Sequence, residues 1–305
     1  MGLEIYIGVI GMNKAANGWI NGFIGVLIFS GSLPATRLAV ADFDPVFLTV
    51  CRAAIAGILA GVLLLIFQEK RPAKSDIISL ITVALGVVIG FPLLTALALQ
   101  HVTSAHAIVY IGLLPLATAI FGVLRGGERP RPVFWIFSAA GSILVAGYAL
   151  LQGGESSPLG DTYMIASIIV CGLGYAEGAR LSRRLGNWQV ISWALVLSLP
   201  LMFILSFCFM PDSWSNIGAP ALLSLAYVSI FSMLIGFVFW YRGLAQGGIA
   251  AVGQLQLLQP FFGLLLAAMI LHEKAGWELA AVNAGVIACV AAARQFTNQS
   301  EKAEQ

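Results

Sequence analysis

The amino-acid sequence predicts an all-α integral membrane protein whose ten transmembrane helices form two inverted five-helix repeats around a central cavity. Three observations predict this fold class: charge is scarce, the apolar segments are long, and the two halves of the chain resemble each other. Of the 305 residues, 59% are hydrophobic and 10% are charged, whereas soluble domains carry about 25% charged residues. This composition excludes an ordinary soluble enzyme, a disordered protein and a nucleic-acid-binding protein with a basic face.

Ten apolar segments are long enough to cross a membrane as helices, which takes about 20 mostly apolar residues for roughly 30 Å of hydrocarbon. They cover residues 18–36, 45–67, 76–98, 103–124, 132–151, 161–181, 188–210, 219–242, 248–271 and 275–294. The connections between them are short and contain charged or turn-forming residues. The sequence therefore predicts a multi-pass membrane protein.

The distribution of basic residues orients these segments, because lysine and arginine favour the cytoplasmic side of a membrane. With the N-terminus inside, 13 of the 16 basic residues lie on the cytoplasmic side. Arg37 and Lys274 lie on the opposite side, and Arg52 lies within the second segment. An error of one helix would remove this asymmetry. We therefore expect both termini in the cytoplasm.

The two halves of the chain share a weak internal repeat. Residues 99–128 align with residues 244–273 at an offset of 145, and Gly31 and Arg37 align with Gly174 and Arg180 at an offset of 143. The predicted organisation is an N-terminal cytoplasmic segment (1–17), a first repeat (18–151), a second repeat (161–294) and a C-terminal cytoplasmic tail (295–305). Because five spans is an odd number, the two copies cross the membrane in opposite senses, which is typical of secondary transporters.

Each repeat contains an apolar helix with a central proline, followed by a glutamate and a glycine-rich helix. The residues are Ala105, Pro115 and Glu128 in the first copy and Ala250, Pro260 and Glu273 in the second. This pattern resembles the EamA-type members of the drug/metabolite transporter superfamily over residues 18–294. Within it, the chain looks most like the aromatic amino acid exporters of the bacterial inner membrane. The resemblance implies a cavity surrounded by the first, third, fourth, sixth, eighth and ninth helices.

Polar residues inside apolar segments are the candidates for function, because each is costly unless it is paired or faces water. Arg52 lies about 10 Å into the second segment, at 1.5 Å per residue. It is either a gating residue or anchor for a substrate carboxylate, or an arginine that bonds to carbonyls at a helix contact. Glu177 and Arg180 are three residues apart near the cytoplasmic end of the sixth segment. They form an interfacial ion pair, unless Glu177 couples transport to protons.

The fourth and ninth segments hold further candidates. His106 and Tyr110 share a helix face at i, i+4 and are candidates for substrate contact, although Tyr110 is equally expected as a packing aromatic. Pro115 and Pro260 occupy equivalent positions and predict paired helix kinks beside the cavity, with static packing as the alternative. Gln254 is the amide expected in the cavity, since helical periodicity aligns it with apolar neighbours on one face.

Tyr175 and Tyr241 complete the predicted substrate site as aromatic residues of the cavity helices. These features predict a secondary transporter that exports small metabolites, above all aromatic or other large neutral amino acids, across the bacterial inner (plasma) membrane by alternating access. Export of other amphipathic solutes, such as purines or drugs, is the alternative, and a channel is less favoured because no filter sequence is present.

An enzyme is not expected, because the histidines and acidic residues are dispersed along the chain. The histidines also lack the spacing of metal ligands, so no metal site is expected. No cofactor is expected, and the chain contains no Walker A motif for nucleotide binding. The expected partners are a small-molecule substrate and the lipid bilayer, without nucleic acid, and the chain is expected to function as a monomer.

Overall fold

The computed structural model describes residues 14–98, 101–102, 107, 110–151, 157–271 and 277–296, and the regular structure in these ranges is helical. The α-helices, in chain order, are α1 Lys14–Ser30, α2 Ser32–Ala39, α3 Pro45–Ile66, α4 Lys74–Val83, α5 Phe91–Ala98, α6 Leu114–Gly126, α7 Pro132–Leu151, α8 Pro158–Leu185, α9 Asn187–Cys208, α10 Ala219–Tyr227, α11 Gly236–Gly247, α12 Ile249–Gly253, α13 Gln259–Leu271 and α14 Trp277–Gln295. An all-helical chain agrees with the predicted fold class.

Six helical stretches among the described residues are long and apolar enough to cross a membrane. They are Lys14–Thr36, Pro45–Ile66, Lys74–Ala98, Pro158–Leu185, Asn187–Cys208 and Ala219–Gly247. Three shorter apolar helices, at Leu114–Gly126, Pro132–Tyr148 and Ala281–Gln295, accompany them. The chain is therefore a helical membrane protein, and the ten-span count stays a prediction.

Local sequence explains where several helices begin and end. Asp44 caps α3, because its Oδ1 accepts hydrogen bonds from the backbone N–H groups of Val46 and Phe47, at 2.8 and 3.1 Å. Pro45 then takes the first helical position, where a missing N–H costs nothing. Gly186 and Gly248, with φ of 94° and 92°, make the abrupt turns from α8 into α9 and from α11 into α12.

Helix α8 occupies the middle of the bundle and packs against α4, α5, α6 and α11. Small residues allow the closest helix contact, between α1 and α11. A Cβ atom at Gly18 would lie 2.3 Å from the backbone nitrogen of Gly247, and one at Gly243 would lie 2.5 Å from that of Gly22. Helices α7 and α14 pack against each other.

Two of the long helical stretches contain a π-helical segment in their middle. Residues 84–90 connect α4 to α5, and residues 228–235 connect α10 to α11. A π-helical segment is rare and costs regular i→i+4 hydrogen bonding, so it is found mostly at functional sites. These two segments lie in the third and eighth of the predicted spans, which flank the cavity.

Candidate functional site

A cavity of about 90 Å³ lies inside the bundle, and we call it the central cavity. Both halves of the chain contribute to its wall, which is formed by Phe29, Ser32, Arg52, Val87, Phe91, Pro92, Ile111, Leu114, Cys171, Tyr175, Ser232, Met233, Phe237 and Gln259. Its helices include the six that the family resemblance implies, together with α3, which carries Arg52. The volume is below the 300–1,000 Å³ that is usual for ligand pockets. The cavity therefore contains little free space in the described conformation.

Residues of the wall come from equivalent positions in the two halves. At the offset of 145, Val87 corresponds to Ser232 and Leu114 corresponds to Gln259. At the offset of 143 that relates the first helices, Ser32 corresponds to Tyr175. The polar members of these pairs lie mainly in the second half, so the cavity is symmetric in position and asymmetric in chemistry.

Arg52 is the one charged residue in the described wall. It lies in the second turn of α3, and its Nε is buried without a hydrogen-bond partner among the described residues. No ion pair with a described carboxylate is present either. A guanidinium in a membrane interior ordinarily pairs with a carboxylate or with backbone carbonyls. Its unpaired state makes Arg52 the strongest candidate for a ligand contact.

Aromatic rings form one side of the central cavity. The rings of Phe29 and Phe237 meet edge to face with centroids 5.1 Å apart, and Tyr175 lies 6.0 Å from Phe237. Behind them Trp240 is fully buried and lies 5.5 Å from Tyr175. Edge-to-face contacts of this kind stabilise an aromatic cluster beyond the area it buries. The wall of the central cavity therefore combines the aromatic rings of Phe29, Tyr175 and Phe237 with the positive charge of Arg52.

Neutral polar groups complete the wall. The hydroxyl of Ser32 donates a hydrogen bond to the hydroxyl of Ser232, at 2.8 Å, and this bond joins the first half to the second. Gln259 contributes an amide at the first residue of α13. Ser32 and Ser232 are not among the predicted site residues, and among the amides of the ninth segment the prediction favours Gln254 over Gln259. The position of each within an apolar segment was the available signal.

Two predicted substrate residues of the second half lie outside the wall. Tyr241 is fully buried, and its hydroxyl donates to the backbone oxygen of Gly174 at 3.3 Å. Gln254 is also fully buried; its Nε2 donates to the backbone oxygen of Ala250 at 3.4 Å. A 3₁₀ segment begins at Gln254 and ends just before Gln259, and of these two amides Gln259 is the one in the described wall.

Of the other predicted substrate residues, Tyr175 lies in the wall of the central cavity. Tyr110 is half-buried against a small cluster that includes Ala98 and Met164, while the next residue, Ile111, reaches the cavity. His106 lies outside the described residues, as does Glu273 of the repeat alignment.

Pro115 and Pro260 each occupy the second position of a helix that follows an interruption. Pro115 follows a turn at residues 112–113, and Pro260 follows the 3₁₀ segment of residues 254–258. Proline has no N–H to continue the preceding hydrogen-bond ladder, so it favours a helix start at these positions. Both prolines directly follow a wall residue, Leu114 or Gln259. They were predicted in mid-helix, and the structure instead has them at the breaks.

Charged residues gather at one end of the bundle, in what we call the ionic cluster: Asp76, Arg125, Glu128, Glu177, Arg180, Arg183 and Arg184. Glu177 is fully buried there and pairs with Arg180, as the i, i+3 spacing predicts. Arg125 of the first half also donates to Glu177, at 3.0 Å, and Arg184 pairs with Asp76. The cluster joins the two halves, and Glu177 lies outside the cavity wall.

Glu128 makes the most extensive of these connections. Its two carboxylate oxygens accept hydrogen bonds from the backbone N–H groups of Ile249 and Ala250, at 2.6 and 2.8 Å. Arg183 also donates to it, at 3.2 Å. A carboxylate at a helix N-terminus satisfies free N–H groups and complements the helix dipole. A glutamate of the first half thus caps α12 of the second half.

A larger groove, of about 710 Å³, lies between α1, α13 and α14. Its residues are largely apolar, and Phe23 and Ile287 within it are exposed on the outside of the bundle. Arg294 stacks over the ring of Trp19 at 4.8 Å. An apolar outer face of this kind is expected to contact lipid. We therefore take the central cavity, whose wall comes from both halves of the chain, as the candidate site.

A polytopic helical bundle with an internal, partly polar cavity between its halves defines a membrane transporter. The chain belongs to the EamA-like transporter family, whose sequence model matches it twice, at residues 16–151 and 158–293. It is 86% identical over 285 residues to the uncharacterized transporter YdeK of Bacillus subtilis, covering 93% of this chain and 99% of that protein.

More distant similarities agree with this assignment. An uncharacterized transporter of Archaeoglobus fulgidus is 25% identical over 82% of this chain and 87% of its own length. A solved crystal structure superposes with a TM-score of 0.76 at 21% identity, covering 94% of this chain and 99% of the other. That likeness shows the fold alone. The family match and the similarity to YdeK confirm the predicted EamA-type membership.

Proposed function

We propose that this transporter exports small metabolites, above all aromatic or other large neutral amino acids, across the bacterial inner membrane by alternating access. The observation that carries the proposal is the central cavity, in which aromatic side chains and one arginine converge from both halves of the chain. Other amphipathic solutes, such as purines and drugs, are the alternative substrates. Both termini are proposed to lie in the cytoplasm.

Two units of similar structure and opposite insertion, here proposed as residues 18–151 and 161–294, are a common basis of alternating access. Three correspondences support this arrangement. The π-helical segment of residues 84–90, moved by 145, falls on the segment of residues 228–235. Pro115 and Pro260 follow breaks at the same offset. Wall residues of the central cavity also pair at the two offsets.

The described conformation supplies a starting point for the transport cycle. The ionic cluster joins the two halves at the end that the basic residues assign to the cytoplasm. At the opposite end, Asp42 accepts a hydrogen bond from the backbone N–H of Gly218 at 2.8 Å, and Tyr227 donates to the backbone oxygen of Ile28 at 2.8 Å. Hydrogen bonds and ion pairs thus connect the two halves on both sides of the central cavity, and alternating access would require them to break in turn.

Flux in reconstituted liposomes tests this proposal. The full chain is reconstituted, and counterflow is measured with phenylalanine, leucine, a purine and a cationic dye. Saturable phenylalanine flux that the other large neutral amino acids compete with is the expected result. Flux that rises linearly with concentration would indicate a channel, and saturable flux of the purine or the dye alone would assign the alternative substrates.

A further inference from the structure

Arg52 has no counterpart in the second half of the chain. At the offset of 143 Arg52 corresponds to Leu195, which is fully buried, and at the offset of 145 it corresponds to Leu197. The second half therefore has an uncharged leucine at the equivalent position, whichever of the two offsets applies. A role in helix packing alone does not explain why the first half has an arginine where the second half has an uncharged residue. A single ligand contact explains this difference, because it requires a positive charge at only one of the two positions.

The surroundings of Arg52 supply no compensating charge. Among the described residues, the wall of the central cavity contains no aspartate or glutamate. The carboxylates of the ionic cluster are engaged by their own arginines and by the N-terminus of α12. A guanidinium with a buried, unpartnered Nε is costly, and binding of an anion removes that cost. The planar fork of the guanidinium matches a carboxylate in particular.

We propose that Arg52 binds the carboxylate of the transported solute and that the central cavity selects amphipathic monocarboxylates whether or not they carry an amino group. The aromatic side chains Phe29, Tyr175 and Phe237 form the surface for the apolar part of the solute. An ammonium group meets only neutral acceptors there, such as Gln259, and no carboxylate in the described wall. This proposal rests on the transport function proposed above and names its substrate class.

Three solutes that share a phenyl ring separate the contribution of the carboxylate to binding from that of the ammonium. Phenylalanine carries a carboxylate and an ammonium, 3-phenylpropanoate carries only the carboxylate, and 2-phenylethylamine carries only the ammonium. Binding of each radiolabelled solute to the purified full chain is measured by equilibrium dialysis, and counterflow is measured in liposomes. Phenylalanine and 3-phenylpropanoate are expected to bind within a few-fold of each other. 2-Phenylethylamine is expected to bind at least roughly 10-fold more weakly, as for loss of a charge-assisted contact.

Variants of Arg52 complete the test. Arg52→Gln is expected to weaken binding of both carboxylates by roughly 10-fold or more, and Arg52→Lys, which retains the charge, is expected to weaken it less. Arg71→Gln, which removes an exposed arginine outside the cavity, is the matched control and is expected to change nothing. If Arg52→Gln does not yield a folded protein, the comparison of the three solutes on the unmodified chain decides the proposal by itself.

Each contrary outcome has a distinct meaning. Equal binding of 2-phenylethylamine and phenylalanine overturns the proposal, as does equal binding of 3-phenylpropanoate to folded Arg52→Gln and the unmodified chain. Competition with radiolabelled chloride gives a third test. If the chain binds chloride and 3-phenylpropanoate does not displace it, the proposal is overturned, because chloride would then be the partner of Arg52. Selective binding of the carboxylates without flux of any solute contradicts the transport proposal alone.

Discussion

Single residues determine what the central cavity recognises, and Gln259 and Gln254 show how closely position matters. Both are amides in the same stretch of the chain, five residues apart. Gln259 lies in the cavity wall, whereas Gln254 is fully buried elsewhere with its Oε1 unpartnered among the described residues. Their roles are expected to differ accordingly, with Gln259 contacting solute and Gln254 contributing only to packing.

Substitution by leucine separates these roles. Gln259→Leu is expected to raise the KM for phenylalanine counterflow by about 2- to 12-fold, as for the loss of one neutral hydrogen bond. Gln254→Leu is expected to leave KM unchanged and to leave thermal stability unchanged or higher, because it removes a buried, unpartnered acceptor. An increase in KM for Gln254→Leu with no effect of Gln259→Leu would reverse the assignment.

At the scale of elements, the approach of α1 to α11 depends on glycine. Ala-sized side chains do not fit between these helices, since a Cβ at Gly18 would meet the backbone of Gly247 at 2.3 Å. A backbone neighbour cannot move aside as a flexible side chain can, so the helices would have to separate. Gly147 in α7 has no such neighbour within 4 Å of an added Cβ.

Alanine substitution at these two glycines tests the contact. Gly18→Ala is expected to destabilise the protein by about 1–3 kcal/mol, the usual cost of overpacking. Gly147→Ala is expected to be neutral or stabilising by up to about 1 kcal/mol, because alanine is the better helix former. Thermal unfolding in detergent measures both, and equal stability of the two variants would contradict the close approach of α1 and α11.

Some of these elements were readable in the sequence and some were not. Asp44 followed by Pro45 is a strong start signal for α3, and the apolar length of that helix is evident. The π-helical segments and the 3₁₀ segment of residues 254–258 carry no comparable signal, because their residues are ordinary helix-compatible apolar and amide types. A 3.6-residue periodicity applied across such a segment misjudges which side chains share a face, so it does not relate Gln254 correctly to the residues that follow it.

The site was predictable to a similar degree. Arg52 and Tyr175 stood out as polar groups within apolar segments, and the structure has both in the cavity wall. The pairing of Glu177 with Arg180 followed from helical spacing. The contacts of Arg125 with Glu177 and of Glu128 with Ile249 join residues 52 and 121 positions apart. Contacts across that distance depend on the packing of the two halves, which local sequence patterns do not encode.

At the scale of the whole molecule, Cys171 reports on whether the cavity opens. Cys171 is buried in the wall of the central cavity, and a cavity of about 90 Å³ does not admit a bulky thiol reagent. Labelling of Cys171 therefore requires an open conformation. The reporter is a chain with Cys51, Cys208 and Cys289, the other free cysteines, replaced by serine or alanine.

Glu128→Gln is expected to open the cavity toward the cytoplasm more often. The substitution removes the charge that attracts Arg183 and weakens the cap on α12, so the bonds between the halves at this end are fewer and weaker. A membrane-impermeant thiol reagent should then label Cys171 faster in inside-out vesicles and no faster in right-side-out vesicles. Asp212→Asn, an exposed carboxylate outside the ionic cluster, is the control and should change neither rate. Faster labelling only in right-side-out vesicles would place the ionic cluster at the outer face and reverse the proposed orientation. Unchanged labelling in both kinds of vesicle would show that Glu128 does not hold the two halves together.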